Sequence, residues 1–209
     1  MSLIPQKFNL TVEFLEPILG TVPKDKTVYS TFIATKAKEL SPEKLKEELD
    51  SIQEREEKGW TGFHFDPKTD QPFLYDYVLR GFMKSSCQAL RRFPESQSSK
   101  LTSFKSRIDG NVFVFPRKIL LNLPKGTNMK KLDVLERPLR CETAQGPRVT
   151  VCRADLCPMG TTFNAELHVL DPKINVDQLI EWFNYGLYSG FGQWRSGGYG
   201  RFSFKIKEA

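Results

Sequence analysis

The segment from Gly190 to Phe202 limits the possible folds more than any other. Five glycines fall within the eleven positions Gly190–Gly200, interleaved with Phe191, Trp194 and Tyr199 and with the cations Arg195 and Arg201. Average glycine usage is about 7%. Without a Cβ, such a segment lets another backbone come close, and each arginine adds a forked cation that matches phosphate. The flanking elements give the loop its context. Upstream, Val176, Leu179, Ile180, Phe183 and Leu187 recur at helical spacing, with Asn175 as N-cap and Gln178 as its capping-box partner. Downstream, Phe202, Phe204 and Ile206 alternate with Arg201, Ser203, Lys205 and Lys207, the period of a strand. Helix, glycine loop, strand reverses the order of a dinucleotide or P-loop site, and Arg195 stands where the third glycine of Gly-x-Gly-x-x-Gly belongs. Both nucleotide classes are excluded.

The remaining chain sets broader bounds. Its 209 residues suffice for a real core. A net charge of +6 is compatible with nucleic acid without demanding it. Cys87, Cys141, Cys152 and Cys157 contain no Cys-x-x-Cys pair. Cys141, Cys152, Cys157 and His168 have weak zinc spacing, so reduced thiols and no metal or other cofactor are expected. No charged-then-apolar leader and no apolar run near the ~20 residues of a membrane span occur, so a soluble cytoplasmic protein with no membrane partner is expected.

Phe8, Leu10, Val12 and Phe14 mark a first strand, and Thr27–Ala34 suggests a second. Ser41–Lys58 reads as a polar helix opened by Ser41-Pro42, with the thin stripe Leu45, Leu49 and Ile52. Gly59–Pro72 reads as a loop containing His64. Tyr75–Arg92 is a stronger helix, with Val78, Leu79, Phe82, Met83 and Leu90 toward the core and a basic face of Arg80, Lys84, Gln88 and Arg91. Pro94–Lys105 is serine-rich and reads as a mobile loop. Val112–Phe115 and Ile119–Leu123 suit buried strands, and Arg148–Arg153 with Thr161–Leu170 reads as a hairpin around Cys157–Gly160, leaving His168 on a polar surface. Stripped of insertions the order is β-α-β-β-α-β. The expected class is α+β, a ferredoxin-like (modified RRM) core whose antiparallel sheet carries helices on one face. One domain over 1–209 is expected, with a helical and loop insertion at 35–74 and a second, strand-containing insertion at 93–147. Gly198–Phe204 partly echoes the RNA-stacking strand of an RRM, but it lacks the leading basic residue and has Arg201 where an aromatic belongs.

Gly190-Phe191-Gly192, five residues containing Arg195, then Gly198-Tyr199-Gly200-Arg201-Phe202 resembles the glycine-rich motif of the RAMP superfamily, the CRISPR-associated RNA-binding proteins. Leu15–Gly20, Leu79–Lys84 and Cys157–Phe163 are similar to segments of that family's backbone-subunit branch. The resemblance implies a modified RRM-like core that binds guide-like single-stranded RNA, in many members polymerising along it with loops inserted between nucleotides. It also implies other CRISPR subunits, or further copies of the chain, as partners. Where the family approaches its first helix through Pro-Gly-Ser-Ser, this chain has Phe73-Leu74-Tyr75-Asp76-Tyr77, a departure at that point of guide binding.

The expected function is therefore non-catalytic RNA binding by Gly190, Gly192, Trp194, Arg195, Gly197, Gly198, Tyr199, Gly200 and Arg201, with Arg80 and Lys84 from the helix face. Aromatic side chains there would stack on bases. Two alternatives stay open. One is metal-free processing endoribonuclease activity with His64 as base, and Asp25 is the candidate acid if the chain cuts as some backbone subunits do. The other is a standalone interaction protein that binds or mimics a CRISPR complex.

Overall fold

Alternation in the sequence becomes alternation in space along β1 (Gln6–Phe14): Phe8, Leu10, Val12 and Phe14 are all buried, and the residues between them face solvent. The computed structural model describes residues 5–30, 41–52, 59–129, 131–143 and 146–209. Along the chain follow β2 (Ile18–Leu19), β3 (Val22–Pro23), α1 (Pro42–Asp50), β4 (Trp60–Gly62), β5 (His64–Phe65), β6 (Pro72–Tyr75) and α2 (Asp76–Leu90). After them come α3 (Phe104–Asn111), β7 (Val112–Phe115), β8 (Lys118–Leu120), β9 (Asp133–Thr143), β10 (Gly146–Cys157), β11 (Thr162–Val169), α4 (Val176–Asn184) and β12 (Phe202–Glu208). Among the described residues, no helix is long and apolar enough to cross a membrane.

The fold is mixed α+β and divides into two compact units. The first comprises Met1–Ile18, Leu74–Pro124 and Pro158–Ala209. Its four-stranded antiparallel sheet has the order β12-β1-β11-β7. Register brings apolar residues together across it: Val12 lies opposite Phe163 on one side and Phe204 on the other. α2 and α4 supply Phe82 and Phe183, whose rings pack 5.3 and 6.4 Å from Phe202 of β12. α4 opens with both hydrogen bonds of a capping box between Asn175 and Gln178.

The second unit comprises Leu19–Phe73 and Lys125–Cys157. β10 is its spine, antiparallel to β9 from Gly146↔Thr143 to Leu156↔Asp133 and parallel to β4 at Arg153↔Trp60. β4 in turn pairs with β3, and β5 with β6. A buried ion pair sits inside it: Lys24 Nζ lies 2.6 Å from Asp155 Oδ2, while Trp60 Nε1 donates to Asp155 Oδ1 at 2.8 Å.

Several expectations from sequence need correction. Residues 27–30 of the expected strand Thr27–Ala34 are helical, because the Asp25 carboxylate accepts from the amides of Thr27 and Val28 and starts a helical turn. Residues 31–34 lie outside the described residues, as do 53–58 of the expected polar helix. Gly59–Pro72 is not a plain loop, for it holds β4 and β5. The expected hairpin of Arg148–Arg153 with Thr161–Leu170 does not form: β10 pairs with β9 and β4, and β11 with β1 and β7. Val112–Phe115 is half-buried rather than fully buried, with Phe113 and Phe115 outward. The serine-rich segment is ordered. Its 3-10 turn, Gln97–Lys100, is held by the Glu181 carboxylate, which accepts from the amides of Gln97 and Ser98 at 2.9 Å each.

Candidate nucleic-acid interface

The glycine-rich loop has a buried base and an exposed tip. Phe191 anchors the base. Its ring is 2% exposed and stacks on Phe202 at 4.8 Å, with Phe82 at 4.6 Å, Phe163 at 5.9 Å and Phe14 at 6.0 Å. The strand pattern does not reveal this anchor; the signal is a lone aromatic between two glycines. The Phe191 amide donates to the Gly200 carbonyl at 3.0 Å, and the Gly200 amide donates to the Pro17 carbonyl at 2.9 Å. Leu15 and Glu16 both donate to the Arg201 carbonyl. The turn after β1 is thereby tied to the loop, and the loop to the sheet.

Gly190 and Gly200 serve this closure and face the protein interior. That corrects the expectation that all five glycines border a ligand. The tip is different. Trp194 is 39% exposed and adopts φ +50°, a region costly for a bulky side chain. Its ring stacks on Tyr199 at 5.2 Å and 17°. The two aromatics are thus spent partly on each other, and no flat group fits between them. Gly197 lies under the Trp194 ring, where a Cβ would come within 2.7 Å.

The cations at the tip are not ion-paired among the described residues. Among the described residues, Arg195 and Arg201 have no ion-pair partner, and the amides of Gly192, Gln193, Arg195, Ser196 and Tyr199 have no intrachain acceptor. The amides of Gly197 and Gly198 are used in the turn, donating to Trp194 and Arg195. Beside the tip runs a groove of about 510 Å³ lined by Glu16, Pro17, Ser196, Gly198, Tyr199 and Arg201. Free amides with two unpaired guanidinium groups suit a phosphate chain. Glu16 adds an acidic residue to the same lining.

The structure does not bring Arg80 and Lys84 to the loop. Arg80 is paired with Asp76 at 2.8 Å, and Lys84 with Asp109 at 2.6 Å. The N-terminus of α2 is closed too, because the Asp76 amide donates to the Arg117 carbonyl and the Asp76 carboxylate already sits there. Asp25 is committed to its helical turn. His64 is a strand residue, 2% exposed, with Nδ1 2.7 Å from Ser51 Oγ and Nε2 3.2 Å from the Tyr29 hydroxyl. Tyr29 donates onward to the Glu48 carboxylate at 2.8 Å. Both ring nitrogens are therefore occupied inside a buried polar network. His168 lies on the sheet, hydrogen-bonded to Glu166. Among the described residues no group of His, Cys, Asp and Glu is placed to hold a metal ion. Burial raises the Cys157 thiol well above its ordinary value, and the Asp155 charge adds to the rise.

No family model matches the chain, and no curated protein matches it. Among solved structures it is similar to a chain of the Type III-B Cmr-beta assembly bound to cognate target RNA, solved by cryo-EM, with a TM-score of 0.50 at 13% identity. The similarity covers 98% of this chain and 61% of that one, so this chain spans about three fifths of its length. At that identity the likeness is one of fold.

Proposed function

We propose that the chain is an RNA-binding protein of the RAMP type, most like a CRISPR effector backbone subunit, which grips single-stranded RNA by its backbone at the tip of the glycine-rich loop. One observation carries the reading: the loop is locked at its base by Phe191 and presents Arg195, Arg201 and unused amides at its tip. The topology supports it. β1, α2, β7, β11, α4 and β12 follow the β-α-β-β-α-β order, and the sheet order β12-β1-β11-β7 is the one a ferredoxin-like core would have. The fold neighbour belongs to an RNA-bound assembly, which suggests guide-like RNA and sibling CRISPR subunits as partners.

Backbone gripping predicts binding with little sequence preference and steep salt dependence, as each neutralised phosphate releases counterions. The test is fluorescence anisotropy with a labelled 20-nucleotide single-stranded RNA at low salt. Micromolar or tighter affinity that falls at least tenfold in Arg195→Ala/Arg201→Ala supports the reading. Absence of binding at low salt, or a double variant that binds like the parent, rejects it. Cleavage of the labelled RNA in EDTA, lost in His64→Ala, would instead establish the processing nuclease. Capture of a protein partner that survives RNase would favour an interaction role.

A further inference from the structure

We propose that the open face of the four-stranded sheet is a second contact surface for single-stranded RNA. It would hold a nucleobase in the hollow beside Phe115 and the adjoining phosphates on Lys205 and Lys207. This rests on the reading of the chain as an RNA binder and extends it to residues outside the loop.

The outward face is not an ordinary solvated sheet surface. Phe113 and Phe115 project from β7 at 38% and 46% exposure, while Val112 and Val114 point into the core. Phe115 and Pro116 wall a hollow of about 580 Å³ whose other lining includes Asn9, Thr11, Asn164 and Glu166. Register fixes the order across the sheet. Phe115 is opposite Glu166, Glu166 opposite Asn9, and Asn9 opposite Lys207. In the neighbouring row Asn164 is opposite Thr11, and Thr11 opposite Lys205. The face therefore grades from an aromatic edge through amides to a cationic edge. The distance is three strand spacings, roughly 14 Å. A nucleotide is graded the same way, from flat base to charged phosphate.

The polar groups are available. Among the described residues the Asn9 side chain has no hydrogen-bond partner. Asn164 only accepts, at 2.8 Å from Thr11 Oγ1, so its amide N–H groups remain as donors. An amide offers a donor and an acceptor together, which suits the edge of a base. Lys7, Lys205 and Lys207 have no ion pair among the described residues. The carboxylates on this face are Glu13 and Glu166, and Glu166 is engaged by His168 at 2.5 Å. Unpaired cations and amides fit RNA better than the core of a protein interface, from which charge is depleted.

The face also continues from the loop. Ser203, Lys205 and Lys207 share one side of β12, and Arg201, the residue just before the strand, lines the groove at the tip. From Arg201 to Lys205 is four residues, about 13 Å along a strand. RNA leaving the tip thus meets a line of cations leading onto the sheet.

The test uses the full chain and a labelled oligouridine 20-mer carrying 4-thiouridine, with photo-cross-links mapped by mass spectrometry. Cross-links at Phe113 or Phe115 are expected. Loss of one stacked base weakens binding about five- to hundredfold, so Phe115→Ala should lose affinity within that range. Asn9→Ala/Asn164→Ala and Lys205→Glu/Lys207→Glu should weaken it as well, with thermal melts that match the parent. If Arg195→Ala/Arg201→Ala weakens binding but the face variants stay within twofold and no cross-link maps to the sheet, this inference falls and the loop reading stands. Cross-links on the sheet with inert arginine variants would leave the face as the site and reject the loop. A parent chain that binds no RNA removes both.

Discussion

Gly190 lies against the Gly200 carbonyl so closely that a Cβ on Gly190 would sit 1.6 Å from its oxygen. The contact closes the loop, and no side chain fits there without moving main chain. Gly190→Ala should therefore cost about 1–3 kcal/mol or more through overpacking. Gly81 of α2 is the control, since a Cβ there meets nothing within 4 Å. Gly81→Ala removes a glycine from a helix interior and should stabilise by up to about 1 kcal/mol. Chemical denaturation followed by circular dichroism measures both, and equal effects at the two glycines would refute the closure argument.

Phe191 is the side chain that holds the exposed tip to the sheet. Phe191→Ala should destabilise by about 3–5 kcal/mol, the range for an emptied aromatic site. It should also weaken RNA binding although no cation is lost. Phe191→Leu keeps most of the volume, so it should recover much of both. If Phe191→Ala unfolds normally yet binds RNA like the parent, rigid support of the tip is unnecessary.

Local patterns made part of this fold legible and left the rest hidden. β1, β11, β12 and α4 carry their own signals, because each buries one face and alternates or caps accordingly. Only the Arg148–Arg153 stretch of β10 does so, and β9 does not. Charged Glu136, Arg137, Arg140 and Arg153 interrupt the apolar residues of the hairpin these two strands form with each other from Gly146↔Thr143 to Leu156↔Asp133. Thr27 and Val28 favour strands by propensity, yet the Asp25 carboxylate decides for helix. The loop was visible in composition, but its division was not. Whether a glycine faces solvent or another backbone depends on Pro17 and Phe14, which lie far away in the chain. Arg80 and Lys84 look like a basic stripe only until Asp76 and Asp109 are placed beside them.

Glu16 restrains the groove. It lines the groove together with Ser196, Gly198 and Arg201, where phosphate is expected. Two unit charges about 4 Å apart in water interact by roughly 1 kcal/mol. Glu16→Gln should therefore tighten RNA binding about two- to fivefold at low salt. The gain should shrink as salt screens the repulsion. Weaker binding by the variant would mean that Glu16 orients Arg201 and does not oppose the ligand.

Asp171 gives the first unit an acid-sensitive joint. Burial alone would raise its carboxyl, but the Lys173 amide at 2.9 Å and the Arg107 guanidinium at 2.5 Å more than offset this, leaving it below the ordinary carboxylate value. The folded state therefore favours the ionised form. Its stabilisation is complete above the carboxylate's unfolded value, near pH 4, and is lost as pH falls through the lower folded value. Asp171→Asn should cost about 1–2 kcal/mol at pH 7, in keeping with a lost charge-assisted hydrogen bond. The gap to the parent should close as pH falls from about 4 through the lower folded value, as the parent's own carboxylate takes a proton. Urea denaturation across that interval reads it directly, and a gap unchanged by pH would show that Arg107 and Asp171 are held by packing and not by charge.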